Sequence, residues 1–228
     1  MTFEKYSAII VAGGKGLRMG GEVPKQFQLI GNKPMLIHTI EVFYMYNRQM
    51  KIVVVLPRDY YSLWNNLCKK YHFTIPVVTV EGGETRFHSV RNGLSIVSDD
   101  EIVAIHDAAR PFVLPEVIDR CFRESSLFEC GVIPVIDEKN SVRIVAPDGS
   151  SKPIDRSSIK LVQTPQVFPA HLLKKAYNVD YRSHFTDDAS VAEEYGIEIH
   201  LVEGNEENIK ITTAFDMKWA SFFLERGR

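Results

Sequence analysis

Cysteine is scarce in this chain: only Cys68, Cys121 and Cys130 occur, widely separated and without a C-x-x-C pair. Such spacing argues against a disulfide framework or a zinc ribbon and predicts core thiols in a reducing compartment. The seven histidines include no H-E-x-x-H, so that metalloprotease signature is missing as well. No hydrophobic run approaches the length of a membrane span, and the N-terminal apolar run is too short, and too soon broken by glycine, for a signal peptide. An excess of one charge is also lacking. Lys and Arg number 27 against 29 Asp and Glu, a formal net charge of −2, which argues against a nucleic-acid binder or a polybasic membrane protein. Any basic site must therefore be local. Internal repeats and low-complexity segments are not found either, and the expectation is a soluble, cytoplasmic protein. What is present is globular: 228 residues, 45% hydrophobic and 25% charged, fit one large α/β domain with a substantial core.

The most informative stretch is glycine-rich, A-G-G-K-G-L-R-M-G-G-E-V-P-K-Q-F from Ala12 to Phe27. The β-branched run Ser7 to Val11 before it has the composition of a buried strand, which the glycines end abruptly. Gly13, Gly14 and Gly16 allow a tight turn that presents backbone N–H groups to anionic oxygens. Arg18 and Lys25 add the fixed positive charge that a triphosphate needs. A dinucleotide fingerprint is disfavoured by the glycine spacing and by Pro57-Arg58, rather than an acid, at the end of the next strand. A Walker loop is broken by Gly14-Lys15-Gly16, where Ser or Thr should follow the lysine.

Taken in order, the pattern predicts a helix over Pro34 to Tyr46, a strand over Lys51 to Leu56, and a helix over Tyr60 to Tyr71 with Leu63, Trp64 and Leu67 inward. A strand over Pro76 to Val80 ends in a second glycine turn, Glu81 to Arg86, before a helix to about Val97. A strand over Ile102 to Ile105 ends in H-D-A-A-R-P-F, His106 to Phe112. Such alternation predicts an α/β fold: a doubly wound, mostly parallel but mixed sheet, helices on both faces, and ligand loops at the carboxyl edge. After a fifth strand, Cys130 to Val135, the rhythm breaks. Residues 137–156 are polar, with a turn at Asp148-Gly149 between Val142 to Val145 and Lys152 to Ile154, the pattern of a β-hairpin arm. An arm with so little core of its own is either a mobile loop or a dimerisation element, and dimerisation is the preferred reading. A helix from about Pro169, an N-cap at Thr186-Asp187-Asp188 for a helix to Tyr195, a strand over Ile197 to Val202, an extended piece Asn208 to Thr212 and a closing helix Thr213 to Arg226 complete the reading.

Seven separated motifs occur in order: A-G-G-K-G-L-R-M with P-K-Q-F, then G-G-E-T-R-x-x-S-V, H-D-A-A-R-P-F, Asp155-Arg156, T-P-Q, T-D-D-A-S and N-I-K-I-T. Together they resemble the 2-C-methyl-D-erythritol 4-phosphate cytidylyltransferases of non-mevalonate isoprenoid synthesis over nearly the whole chain. The resemblance implies a nucleotidyltransferase that joins CTP to a sugar-alcohol phosphate, releases pyrophosphate and uses Mg²⁺ or another divalent cation. By the same resemblance Arg18, Lys25 and Lys210 are catalytic, and Ala12, Gly13, Gly14, Gly16, Gly83, Ser89, Asp107 and Ala108 hold the nucleotide. Asp107 would also be the metal ligand. Asp107, Arg110, Arg156, Thr164 and Thr186 would place the acceptor, Arg156 from the arm of a homodimer partner. Glu138 stands where many members carry a threonine, with Ser141 the candidate substitute, and Glu84 where aspartate is frequent.

The chemistry fits these residue types. A phosphomonoester dianion is already nucleophilic, so the obstacle is bringing two anions together in line, and positioned cations with a metal are the expected remedy. Mg²⁺ takes hard oxygen ligands such as Asp107. Each residue also has a plainer reading: Asp107 as the cap of a turn, Arg110 as an ion-pair partner, Thr186 as an N-cap. Two rival functions share the loops. One is ribitol 5-phosphate cytidylyltransferase, against which Asp155-Arg156 and Thr186 to Ser190 weigh; the other is a non-catalytic nucleotide-binding or interaction protein, which has no need of two lysines at the reacting phosphorus.

Overall fold

The computed structural model describes residues 5–13 and 24–227. Gly14, Gly16 and Arg18 lie outside the described residues. Strand β1 (Lys5–Val11) opens the chain, and a small ribbon of β2 (Leu29–Ile30) and β3 (Lys33–Pro34) leads into helix α1 (Met35–Tyr46). Next come β4 (Lys51–Leu56), α2 (Tyr61–Lys70), β5 (Val78–Glu81), α3 (Arg86–Leu94), β6 (Glu101–Asp107), α4 (Pro115–Phe128) and β7 (Gly131–Asp137). The hairpin β8 (Val142–Val145) and β9 (Ser151–Ile154) precedes β10 (Lys160–Val162), β11 (Gln166–Pro169), α5 (Ala170–Ala176), α6 (Asp188–Glu194), β12 (Ile199–Glu203) and α7 (Ala214–Glu225).

The main sheet runs β5, β4, β1, β6, β11, β7, β10, with β12 joined to β7. Its β5, β4, β1 and β6 half is parallel, and β12 is parallel to β7, whereas β10 and β11 run antiparallel to their neighbours. The expected mixed, mostly parallel sheet is therefore present. Strand alternation divides the core into two layers. Ala8, Ile10, Ile52, Val54, Ile102 and Ala104 pack against Leu36, Ile40 and Phe43 of α1 and Ile118 and Phe122 of α4. Ile9, Val53, Val55, Val103 and Ile105 point the other way, onto Phe87, Val90 and Leu94 of α3 and Leu173 of α5. Most of these side chains are fully buried, each contributing about 1.5–3 kcal/mol. Helix α7 closes the fold over Ile30, Met35, Phe112 and Ile211.

Several expectations are revised. Helix α4 was not anticipated, and the extended piece Asn208 to Thr212 joins no described strand. It is a strap pinned at Asn208, whose carbonyl accepts from Arg110 Nη1 at 2.7 Å, and at Ile211, whose N–H donates to the Ala109 carbonyl at 2.9 Å. The N-cap of α6 is Asp187, not Thr186, because Asp187 and Ser190 form a reciprocal capping box. The hairpin arm is present: β8 and β9 pair with each other and with no other described strand. Gly149, at φ +84°, takes the left-handed turn position that favours glycine. Ile144 and Val145 on the arm are 59% and 67% exposed. The three cysteines are free thiols, two of them buried. Among the described residues no helix is long and apolar enough to cross a membrane.

Candidate active site

Strand β1 lies between β4 and β6, with Val11 beside both Val55 and Asp107. Chain connections leave β1 in opposite directions here, and ligands of open α/β sheets bind in the crevice outside the strand ends at such a point. Ala12 and Gly13, the Glu81 to Arg86 turn and the His106 to Phe112 loop all lie at this edge. They line a cavity of about 500 Å³, whose wall includes Ala12, Gly13, Lys25, Gly83, Ser89, Asp107, Ala108 and Lys210. A second cavity of about 280 Å³ is lined by Arg110, Thr164 and Thr186, and shares Arg86, Asp107 and Lys210 with the first. Three charged side chains thus form the seam between two compartments.

Asp107 is the centre of that seam. Lys210 Nζ lies 2.8 Å from Asp107 Oδ2, Arg86 Nε 3.3 Å from Oδ1, and Arg110 Nε 3.8 Å from Oδ2. Burial alone would raise the pKa of this carboxyl, but the charges of Arg86, Lys210 and Arg110 outweigh it and hold Asp107 well below the usual carboxylate range. It is therefore ionised at any physiological pH. Arg86 also grips Asp188 through both terminal nitrogens, at 3.0 and 2.7 Å. Burial disfavours the Arg86 charge, yet Asp188 and Asp107 raise its pKa well above its ordinary value. Lys25, Arg86, Arg110 and Lys210 line the two cavities together with Asp107, Glu84 and Asp187, an excess of one positive charge.

The supports follow from local sequence. Thr164 Oγ1 accepts from the Asp107 N–H at 3.2 Å and meets His106 Nδ1 at 3.1 Å, while His106 Nε2 is 2.9 Å from the Arg110 carbonyl. Burial pushes His106 down to about 4, so the ring is neutral at physiological pH and braces the loop without adding charge. Asn208 Nδ2 donates to the Thr164 carbonyl at 2.8 Å, tying the strap to the same place. Lys25 Nζ donates to the Ile211 carbonyl at 3.2 Å, next to Lys210, so both lysines are organised by one strap. On the other side, Ser89 Oγ accepts from the Gly83 N–H at 3.1 Å and donates to the Thr85 carbonyl at 3.0 Å. A side chain at Gly83 would place Cβ 2.3 Å from His88 Cβ, so the close turn requires glycine there.

The structure brings together Ala12, Gly13, Lys25, Gly83, Ser89, Asp107, Ala108 and Lys210 around one cavity, and Asp107, Arg110, Thr164 and Thr186 around the other. Arg156 is not among them: it is exposed at the base of the arm and donates to the Lys139 carbonyl at 2.8 Å. Glu138, which stands in place of the family's threonine, lines neither cavity and instead accepts from Asn140. Glu84 does line the larger cavity. The residue that sequence reasoning missed is Arg86. Its only signal was its place at the end of the G-G-E-T-R turn.

A switch-point crevice divided into a glycine-walled and an arginine-walled compartment, joined by lysine and carboxylate, suits an enzyme that brings two phosphate-bearing substrates together. Comparison with known proteins agrees. The family model for 2-C-methyl-D-erythritol 4-phosphate cytidylyltransferase matches residues 6–226. A protein of that name from Bacteroides fragilis is 54% identical over 218 residues, covering 96% of this chain and 99% of the relative. The crystal structure of the protein of that name from Francisella tularensis is 32% identical, with a TM-score of 0.79 over 96% of this chain and 99% of its own. The structure of 4-diphosphocytidyl-2C-methyl-D-erythritol synthase from Anaerococcus prevotii superposes with a TM-score of 0.82 at 26% identity, covering 97% and 96%. The chain belongs to the 2-C-methyl-D-erythritol 4-phosphate cytidylyltransferase family.

Proposed function

We propose that this protein transfers the cytidylyl group of CTP to 2-C-methyl-D-erythritol 4-phosphate, giving 4-diphosphocytidyl-2-C-methyl-D-erythritol and pyrophosphate. The observation that carries this reading is the seam, where Lys210, Asp107 and Arg86 belong to both cavities at once. CTP takes the larger cavity, its base toward Gly83 and Ser89, its triphosphate against the glycine loop, Arg18 and Lys25. The acceptor takes the smaller, its phosphate met by Arg110, with Thr164 and Thr186 beside it. An oxygen of the acceptor phosphate attacks the α-phosphorus, a new P–O bond forms, and the bond to the β-phosphate bridging oxygen breaks. The electron pair leaves on pyrophosphate and no proton need move. Lys25 and Lys210 offset the negative charge that gathers on the α-phosphoryl oxygens, a role in which positioned cations dominate catalysis.

Among the described residues no cluster of three or more His, Cys, Asp or Glu side chains could hold a metal. Asp107 offers a hard carboxylate oxygen at the seam, and Mg²⁺ bound to phosphates takes one or two carboxylates and keeps its waters. Asp107 would hold it, and it would neutralise charge on the phosphates. The whole chain then acts as one catalytic domain, with residues 137–156 as a dimerisation arm that carries Arg156 into the partner's acceptor cavity. The exposed Ile144 and Val145 on that arm support this assembly. A protein with these substrates works in the cytoplasm. The test is positional labelling: CTP labelled at the α-phosphorus must pass its label to the acceptor product, and CTP labelled at the γ-phosphorus must pass it to pyrophosphate. Label from the α-position appearing in a released phosphate fragment would overturn the scheme.

A further inference from the structure

The side chain at the seam that the proposed transfer leaves without a role is Arg86. It is the first residue of α3, fixed there by the N-cap Thr85, whose hydroxyl accepts from the His88 N–H. Its fork is committed to Asp188, a carboxylate with no solvent exposure. Asp188 is itself over-determined. Tyr177 donates its hydroxyl to Asp188 Oδ1 at 2.6 Å, and the N–H groups of Asp188 and Ala189 both donate to Gln166 Oε1 at 2.9 Å. The next residue, Phe87, stacks on Tyr177 with ring centroids 4.7 Å apart. Residues 86 and 87 thus hold Asp188, the first residue of α6, and Tyr177, which hydrogen-bonds to it. What Arg86 has left to offer is its Nε edge, 3.3 Å from Asp107 Oδ1.

Resting on the cytidylyl transfer proposed above, we infer that Arg86 is a positioning residue: it fixes the Asp107 carboxylate at the seam and ties it to the acceptor-side loop through Asp188. A direct role on the triphosphate would require the guanidinium to abandon a fully buried bidentate partner, and a planar fork held on both sides is preorganised against doing so. A role confined to the fold would need only Asp188. Arg86 instead reaches Asp107 and borders both cavities, so a shift of the first turn of α6 is transmitted to the carboxylate that faces the nucleotide.

The test is a double-mutant cycle on Arg86 and Asp107, read in steady-state pyrophosphate release and in CTP affinity by calorimetry. Arg86→Gln is expected to lower kcat roughly ten- to a hundredfold, because misplacement of about 1 Å at a transfer site costs that much, while the dissociation constant for CTP stays within about threefold. In an Asp107→Asn background the same change is expected to cost less than about twofold, since a residue acting only through its neighbour shows full coupling. Arg86→Lys keeps the charge but not the fork and the third nitrogen, so it should be impaired like Arg86→Gln; it carries the same cycle if Arg86→Gln does not fold. Multiplicative losses, a rise in KM with kcat intact, or rescue by lysine would each overturn the inference. A wild-type enzyme silent with CTP and acceptor would instead overturn the proposed reaction, which separates the two failures.

Discussion

Replacing Lys210 by alanine separates catalysis from stability. Lys210 Nζ is 2.8 Å from Asp107 Oδ2, and its side chain is 44% exposed. The Asp107 side chain is only 11% exposed, but it would keep Arg86 at 3.3 Å and Arg110 at 3.8 Å, so its charge stays compensated and the cost to the fold is about 1–2 kcal/mol. The variant should therefore stay folded, with its unfolding midpoint near that of the parent. Its effect on the reaction is larger. Losing one preorganised donor at a centre of developing charge costs about 3 kcal/mol, which at about 1.4 kcal/mol per decade is roughly a hundredfold in kcat. The assay is continuous pyrophosphate release at saturating CTP, Mg²⁺ and methylerythritol phosphate, with circular dichroism on the same sample. The expected result is a native spectrum with kcat down about a hundredfold. Near-normal turnover would remove Lys210 from the mechanism, and a loss that tracked the unfolded fraction would make its role structural.

Three further outcomes are expected. Gly83→Ala sets a Cβ 2.3 Å from His88 Cβ and 2.9 Å from the His88 carbonyl carbon, so it should cost about 1–3 kcal/mol by overpacking and raise KM for CTP; denaturant melts and kinetics check both. His106 is held down to about 4 by burial against an ordinary 6.5. Because the folded pKa lies below the unfolded one, its contribution is fully present above pH 6.5 and lost as pH falls toward 4, up to about 3 kcal/mol. Urea titrations should therefore show stability falling between pH 6.5 and 5, and a flat profile there would contradict the assignment. Finally, if Arg156 serves the partner's cavity, mixing inactive Arg156→Ala and Lys210→Ala proteins should restore about a quarter of wild-type activity, since half the dimers then hold one intact site. No recovery on mixing would place Arg156 in its own subunit's site or in none.

Much of this was legible from the residues, and the gaps have physical causes. Lys51 to Leu56 reads as a strand with its observed bounds because a β-branched run buried on both faces has no rival pattern. The arm declared itself through the turn at Asp148-Gly149 and short alternating runs. Helix α4 was equally legible, since Pro115 stands at its start and Val117, Ile118, Cys121, Phe122 and Ser125 fall on one helical face, yet it was passed over. Strands β10 and β11 form one antiparallel track interrupted at Gln163 to Pro165, and neither piece is long enough to show a period. Thr186 and Asp187 are both good N-caps, and only the Ser190 side chain decides between them. That choice leaves Thr186 to line the smaller cavity. Arg86 was visible but mute, because its partners Asp107 and Asp188 are remote in sequence and only the fold brings them to it.

The central claim is that the seam joins CTP to methylerythritol phosphate. The most direct measurement is pyrophosphate release from CTP and Mg²⁺ with methylerythritol phosphate and ribitol 5-phosphate as acceptors, run side by side on the wild-type chain. The account predicts release with the first and little with the second. Release only with ribitol 5-phosphate would reassign the acceptor, and silence with both, while CTP still binds, would contradict the catalytic reading.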